Sequence, residues 1–239
     1  MSEKMDLNIS GASVMPGGDY ARVRISGSGK VSGDLRAEML RCSGAAKVQG
    51  NAVARELDCS GACTIEGNLE VQESHISGSI QVQGNITGGN FYLSGGGKVG
   101  GSFHCQQLKL SGGLSIGQGV EAEQVSLSGG IRIGTLLNAE TIEIKGQHGS
   151  RVQEIGCSSL LVRREGSGGF FTRLFGANRA AYALEVDTIE ADQADLEYTR
   201  ADMVRGRDVV IGPGCKIRRV EYSGTCQAPE GTVAELVKV

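Results

Sequence analysis

Acid and base chemistry near neutral pH needs titratable side chains gathered on one cleft, so the three histidines, His75, His104 and His148, are the first residues to weigh. They stand far apart, and no Cys-x-x-Cys, His-x-x-x-His or phosphate-loop lysine motif accompanies them. The carboxylates Asp187, Glu190, Asp192, Asp195 and Glu197 form an acidic run, read first as a solvated face and second as a weak cation site. Seven cysteines are an odd number for a disulfide framework, and four of them, Cys42, Cys59, Cys63 and Cys105, fall where small apolar core residues are expected. The expectation is a non-enzymatic chain with free thiols and with no catalytic residue, cofactor or metal site.

What the residues do show is a ruler. Seven Ser-Gly pairs, from Ser26-Gly27 through Ser43, Ser60, Ser77, Ser94 and Ser111 to Ser128-Gly129, recur every 17 residues, with Gly146 in phase. A fixed period of this length marks a stacked repeat. Counting from the serine, apolar or small residues occupy offsets −3 and −1 (Val23/Ile25, Phe91/Leu93), +3 and +5 (Val31 at +5, Ile80/Val82), and +9 and +11 (Leu35/Ala37, Leu69/Val71). Period-two pairs separated by corners predict three short strands per coil, hence an all-β, three-sided parallel β-helix. Inward positions step by 2, 4, 2, 4, 2 and 3. The Ser-Gly corner and a second corner with Gly33, Gly50, Gly67, Gly84 and Gly101 use residues that tolerate positive φ.

Composition agrees with a narrow prism. Aromatics are 4% with no Trp, and the net charge of −3 argues against a general nucleic-acid binder, whose affinity rests on neutralising phosphates. Residues 1–20 contain no apolar stretch of signal-peptide or membrane-span length, which predicts a cytoplasmic location. Offset +4 places Lys30, Lys47, Lys98 and Arg132 on one face, a solvated surface by default and a contact for an anionic partner by alternative.

The ruler lapses in three places, giving a regular β-helix with an N-terminal cap coil over 1–162, an insertion over 163–183, and irregular coils of wider period with a tail over 184–239. Ile9-Ser10-Gly11 sits 16 residues before the next Ser-Gly and precedes Pro16-Gly17-Gly18. The insertion holds Phe170, Phe171, Leu174 and Phe175 among Arg163, Arg164, Arg173 and Arg179. It reads either as a cover folded over the coils or as an amphipathic docking element for a partner or membrane surface. Strand-like pairs resume at Leu184/Val186, and the segment from Pro229 reads as a short terminal piece.

The unit Ile-Ser-Gly-x-x-x-Val-x-Gly-x-Ile/Leu, at Ile25 to Leu35 and Ile76 to Ile86, resembles bactofilin-type polymer-forming cytoskeletal proteins, closely over 20–146 and loosely beyond. That resemblance implies a right-handed β-helix joining end to end into non-polar filaments without nucleotide. It also implies a bacterial scaffold that positions envelope, morphogenetic or flagellar motility machinery, with itself or a paralogous bactofilin as partner. Edge pairing is the physical route to such growth, since a terminal coil offers unpaired backbone groups and apolar inward side chains. The candidate contacts are Ile9, Val14 and Tyr20 at one end and Val209, Ile211, Val220 and Tyr222 at the other. Two alternatives stay open. One is a monomeric or dimeric module docking through Phe170, Phe171, Arg173, Leu174 and Phe175, with membrane association as a variant. The other is a transferase, since Ile211-Gly212-Pro213-Gly214-Cys215 resembles one hexapeptide unit of left-handed β-helix acyltransferases.

Overall fold

Adjacent strands must lie about 4.8 Å apart to share hydrogen bonds, so a coil that repeats every 17 residues stacks only if its corners also fit within that spacing. The computed structural model describes residues 4–146, 149–164 and 182–239, and over these it is all strand, with parallel pairing and roughly 17 residues per turn of a β-solenoid. The chain forms two compact units, residues 1–122 and 123–239.

The first unit opens with β1 (Met5–Ile9), β2 (Ala12–Ile25) and β3 (Ser28–Cys42), in which neighbouring walls run on through the corner. Four-residue and eight-residue strands then alternate: β4 (Ala45–Val48), β5 (Ala52–Cys59), β6 (Ala62–Ile65), β7 (Leu69–Ile76), β8 (Ser79–Val82), β9 (Ile86–Leu93), β10 (Gly96–Val99), β11 (Phe103–Leu110) and β12 (Gly113–Ile116). From β3 onward the register between coils is 17 residues at every printed pair, as in Cys42 opposite Cys59, Ile80 opposite Gly97 and Phe103 opposite Ile86. Between β1 and β2 it is 15 to 16, which is where the short first coil shows.

The predicted inward offsets are the core. Val23, Leu40, Leu57, Leu108 and Phe103 are wholly buried, and Phe91 meets Phe103 edge to face at 4.9 Å. Ser74 takes an inward slot between Leu57 and Phe91 in the stack, and its buried hydroxyl has no hydrogen-bond partner. A small residue there leaves room for the Phe91 ring at the cost of one unsatisfied polar group.

Gly33, at φ 104, takes the positive φ expected of it, but the other repeating corner glycines serve a different purpose. The positive-φ glycines are Gly18, Gly33, Gly214 and Gly231, so the repeating Ser-Gly and Gly-Asn corners run in ordinary backbone conformations. Glycine is required because the corners stack. A Cβ on Gly61, Gly78, Gly95 or Gly112 would strike the carbonyl oxygen of the glycine one coil earlier, closer than any real Cβ contact. At the second corner a side-chain ladder fills the gap. Asp34, Asn51, Asn68 and Asn85 each accept, through Oδ1, the backbone N–H of the residue 17 positions on, at 2.7, 2.9, 2.8 and 2.9 Å. The glycine before each asparagine clears the side chain of the coil below, as Gly67 clears Asn51.

The second unit begins within β13 (Val120–Leu127) and continues with β14 (Gly130–Lys145), β15 (Ser150–Arg163), β16 (Leu184–Leu196), β17 (Thr199–Ile211), β18 (Lys216–Tyr222), β19 (Cys226–Gln227) and β20 (Val233–Lys238). Its register changes from coil to coil. Ile144 faces Val162 (18 apart), Ser150 faces Leu184 (34 apart, across the insertion), and Leu184 faces Thr199 (15 apart). The coils after the insertion were expected to widen; they tighten. Leu184, Val186, Ile189, Ala191, Ala194, Leu196 and Thr199 are buried in steps of 2, 3, 2, 3, 2 and 3, so every corner here takes the short form seen once per coil in the first unit. No Ser-Gly corner occurs in this stretch, and the 15-residue turn follows directly from losing both longer corners.

Two stability outcomes follow. Gly78→Ala lowers unfolding free energy by about 2 kcal/mol in denaturant titration, as expected for overpacking against backbone, whereas Gly113→Ala, with open space at its Cβ, changes little. Equal effects at the two sites would contradict stacking as the reason for the glycines. Ser74→Ala raises stability by roughly 1 kcal/mol, because it removes the orphaned hydroxyl without creating a large void.

Candidate functional site

At the N-terminal rim, among the described residues, β1 pairs only with β2. Ile9 is buried against Ile25, Tyr20 is half-buried with its hydroxyl donating to the Pro16 carbonyl at 3.1 Å, and Val14, opposite Lys30 on the outward side, is 64% exposed. Met5 beside them is 75% exposed. Sequence reasoning passed over Met5, whose polar flanks, Lys4 and Asp6, hide it from a periodicity search. The same rim carries Pro16, which has no N–H to donate, and a register break between Pro16 and Gly18.

At the other rim the expectation needs correction. Val209, Ile211 and Val220 are wholly or almost wholly buried, and Tyr222 is half-buried. They are interior because the coil after them is formed: Val209 faces Cys226 of β19, and Val220 and Tyr222 face Leu236 and Lys238 of β20. The segment beyond Pro229 is therefore a ladder strand, and Leu236 and Val239, 50% and 72% exposed, are the large apolar side chains at that rim. A charge at Val220 would be buried, so it would disrupt the coil itself.

The two described histidines lie on different walls. His75 stacks on Tyr92 at 5.0 Å, His104 Nδ1 lies 3.1 Å from Glu121, and His148 falls outside the described residues. Of the acidic run, Glu190 pairs with Arg205 and Asp195 and Glu197 pair with Arg163, so these three carboxylates are neutralised by arginines. Among the described residues no group of three or more His, Cys, Asp or Glu is placed to hold a metal. Lys47 of the basic line is paired with Glu66 at 2.8 Å. All seven cysteines are free, with Cys42, Cys59 and Cys63 buried, and burial pushes the thiols of Cys63, Cys105 and Cys157 up to about 12. Protonated, enclosed thiols are poor nucleophiles, in line with a core role. Gly212-Pro213-Gly214 forms a four-residue corner between Ile211 and Cys215, with Gly214 at φ 73.

On the far flank of the insertion the Ala183 N–H donates to the Tyr198 carbonyl at 2.7 Å, and two arginines hold the near flank. Arg163 bonds Asp195 and reaches Glu197, and Arg164 lies 4.4 Å over the ring of Tyr198, itself at φ 47. The proposed docking residues Phe170, Phe171, Arg173, Leu174 and Phe175 lie outside the described residues. On the wall following the insertion, an open polar groove of about 550 Å³ is lined by Arg151, Gln153, Glu185, Asp187, Arg200 and Asp202. It arises where a corner of four steps, Ile133 to Leu137, gives way to corners of three.

An ionic ladder ties the last strands. Glu190 and Glu221 flank Arg205 at 3.0 and 2.8 Å, and Arg219 joins Glu221 to Glu235 of β20 at 2.7 and 3.0 Å. Arg205, then Arg219, hold the Glu221 carboxyl below the ordinary carboxylate range.

The fold is a parallel β-solenoid. Over 91 residues the chain is 42% identical to the uncharacterized protein YhbF of Bacillus subtilis (strain 168), covering 38% of this chain and 35% of that protein. Over 92 residues it is 38% identical to the uncharacterized protein YhbE of the same organism, covering 38% and 37%. The chain thus spans little more than a third of the curated relatives it matches. No family model matches, and no solved structure matches.

The ladder predicts a pH dependence. A carboxyl whose folded pKa is lowered contributes stability above its unfolded pKa and loses it as pH falls through the folded value. Thermal unfolding followed from pH 7 downward should therefore show a drop below about pH 4 that is shallower in Glu221→Gln. An identical acid limb in both proteins would remove the ladder as its source.

Proposed function

We propose that this chain is a non-enzymatic, self-assembling scaffold whose copies join through the rims of the solenoid, without nucleotide, in the manner of bactofilin-type cytoskeletal proteins. The supporting observation is the placement of the most exposed large apolar side chains: Met5 and Val14 on the first coil and Leu236 and Val239 on the last are 50 to 75% exposed, against 40% for Leu136 and 38% for Val210 on the walls between. Side walls, by contrast, expose mostly charged and polar residues, many in cross-coil ion pairs such as Arg41–Asp58 at 2.7 Å.

Rim pairing continues a geometry the coil already has. Each wall presents backbone N–H and C=O groups at strand spacing, and a further coil of matching inward pattern extends the ladder and covers the last apolar layer together. Nothing in this reaction consumes a cofactor. The scaffold places other machinery in the cell, with membrane association through the insertion as a further part of the reading.

Negative-stain microscopy and sedimentation velocity on the purified full chain test it, with particles longer than one copy expected in buffer lacking nucleotide. Val14→Glu should shift assemblies toward single copies at least tenfold in concentration while leaving the melting temperature within error. A strictly monomeric wild-type chain across the accessible concentration range would overturn the reading.

A further inference from the structure

The buried state of Ile217 and Val220 depends on one strand. β18 is flanked by β17 on one side and by β20 on the other, with Ile217 facing Val233 and Val220 facing Leu236. Among the described residues β20 pairs only with β18. Its inward side chains are covered on one side alone, so Leu236 stays 50% exposed above a Val220 that is fully buried. Apolar burial, the main source of cohesion between coils, is thus about half complete in this strand.

Beyond the backbone ladder to β18, which runs from Ile217–Val233 to Tyr222–Lys238, the attachments are few. The strand is joined through a turn in which Thr232 bonds the Pro229 carbonyl and Gly231 takes φ 80. Across the ladder it has the solvent-exposed Arg219–Glu235 pair at 3.0 Å and Lys238 5.9 Å over the Tyr222 ring. Exposed ion pairs contribute about 1 kcal/mol or less. Strands with one partner, one covered face and exposed hydrogen bonds open first.

We propose that β20 is a detachable strap over an interaction surface formed by Ile217, Val220 and the backbone edge of β18, and that the partner admitted when it lifts is a second copy of this chain. The inference rests on the self-assembly reading and names the surface it uses at this end. Lifting the strap frees a rim whose inward residues lie at coil spacing. A partner must bring a coil with the same stepped inward pattern, which another copy supplies in full. The exchange replaces one strand's hydrogen bonds with another's, so its net cost is small and complete burial favours the assembled state. At the N-terminal rim β2 carries Pro16 and a register break.

The test locks the strap in the full chain. Arg219 and Glu235 are register partners whose side chains already meet, so Arg219→Cys with Glu235→Cys places two thiols for a disulfide across adjacent strands. Mass spectrometry confirms the bridge, and sedimentation velocity reads assembly. The oxidised form should need at least tenfold more protein to assemble than the same variant after dithiothreitol. As a second arm, Glu235→Arg, which sets like charges facing, should assemble at lower concentration than wild type. Equal assembly of locked and unlocked forms, with wild type assembling, overturns the strap and leaves rim assembly standing. Absence of assembly in every form, the reduced variant included, overturns both.

Discussion

Coil-on-coil contact at the corners is the constraint on which the first unit depends. Walls of short strands bring backbones together wherever they pair, yet a coil can stay at strand spacing only if its turns do so too. The Ser-Gly corner meets this by placing glycine where the carbonyl of the previous glycine leaves no room for Cβ, and the Gly-Asn corner by inserting an amide oxygen that accepts the next coil's N–H. Both devices work between coils, which is why they recur at the coil period. The same stacking carries the core, since inward side chains lie directly over their counterparts. Exceptions such as Ser74 beneath Phe91 are volume adjustments between neighbours.

In the second unit the same walls are kept while the corners change. Shortening each corner to three steps yields a 15-residue coil, and the four-residue Gly212-Pro213-Gly214 corner restores a longer one. Loss of the Ser-Gly ruler therefore changes coil size without changing the fold. Where a larger coil meets a smaller one, the outline steps inward, and the polar groove beside Gly134 is the result. Arginines here are shared, with Arg163, Arg205 and Arg219 each serving two carboxylates.

Much of this was legible in the residues. The period-two pairs flanking each Ser-Gly placed the core, because inward positions admit only apolar or small side chains and the period does not slip between Ser26 and Gly146. The purpose of the glycines was not legible, since a turn glycine and a stacking glycine look alike until the neighbouring coil is in place. The tighter coils were misread as wider ones for a related reason: with no glycine to mark the corners, only burial shows where each wall ends. The rims were half legible. Val14 lies where expected, but Val209, Ile211 and Val220 are interior, because Val233–Lys238, with Glu235 and Lys238 interrupting its apolar residues, carries too weak an alternation to announce a ladder strand.

The proposed function rests on how surfaces are divided. Among the described residues Cys42, Cys59, Cys63 and Cys215 are buried, and the large apolar side chains most exposed to water, Met5, Val14, Leu236 and Val239, sit on the first and last coils, with Leu136 and Val210 less exposed between them. That division suits a component used for its ability to stack. The most direct measurement of the underlying claim is residue-resolved amide hydrogen exchange on the full chain. Corner amides such as Gly44, Gly61 and Gly78, which donate to the coil before them at 3.1 to 3.2 Å, should exchange as slowly as the strand amides of Val48, Ile65 and Val82. Corner amides exchanging at open-loop rates beside protected strands would contradict it.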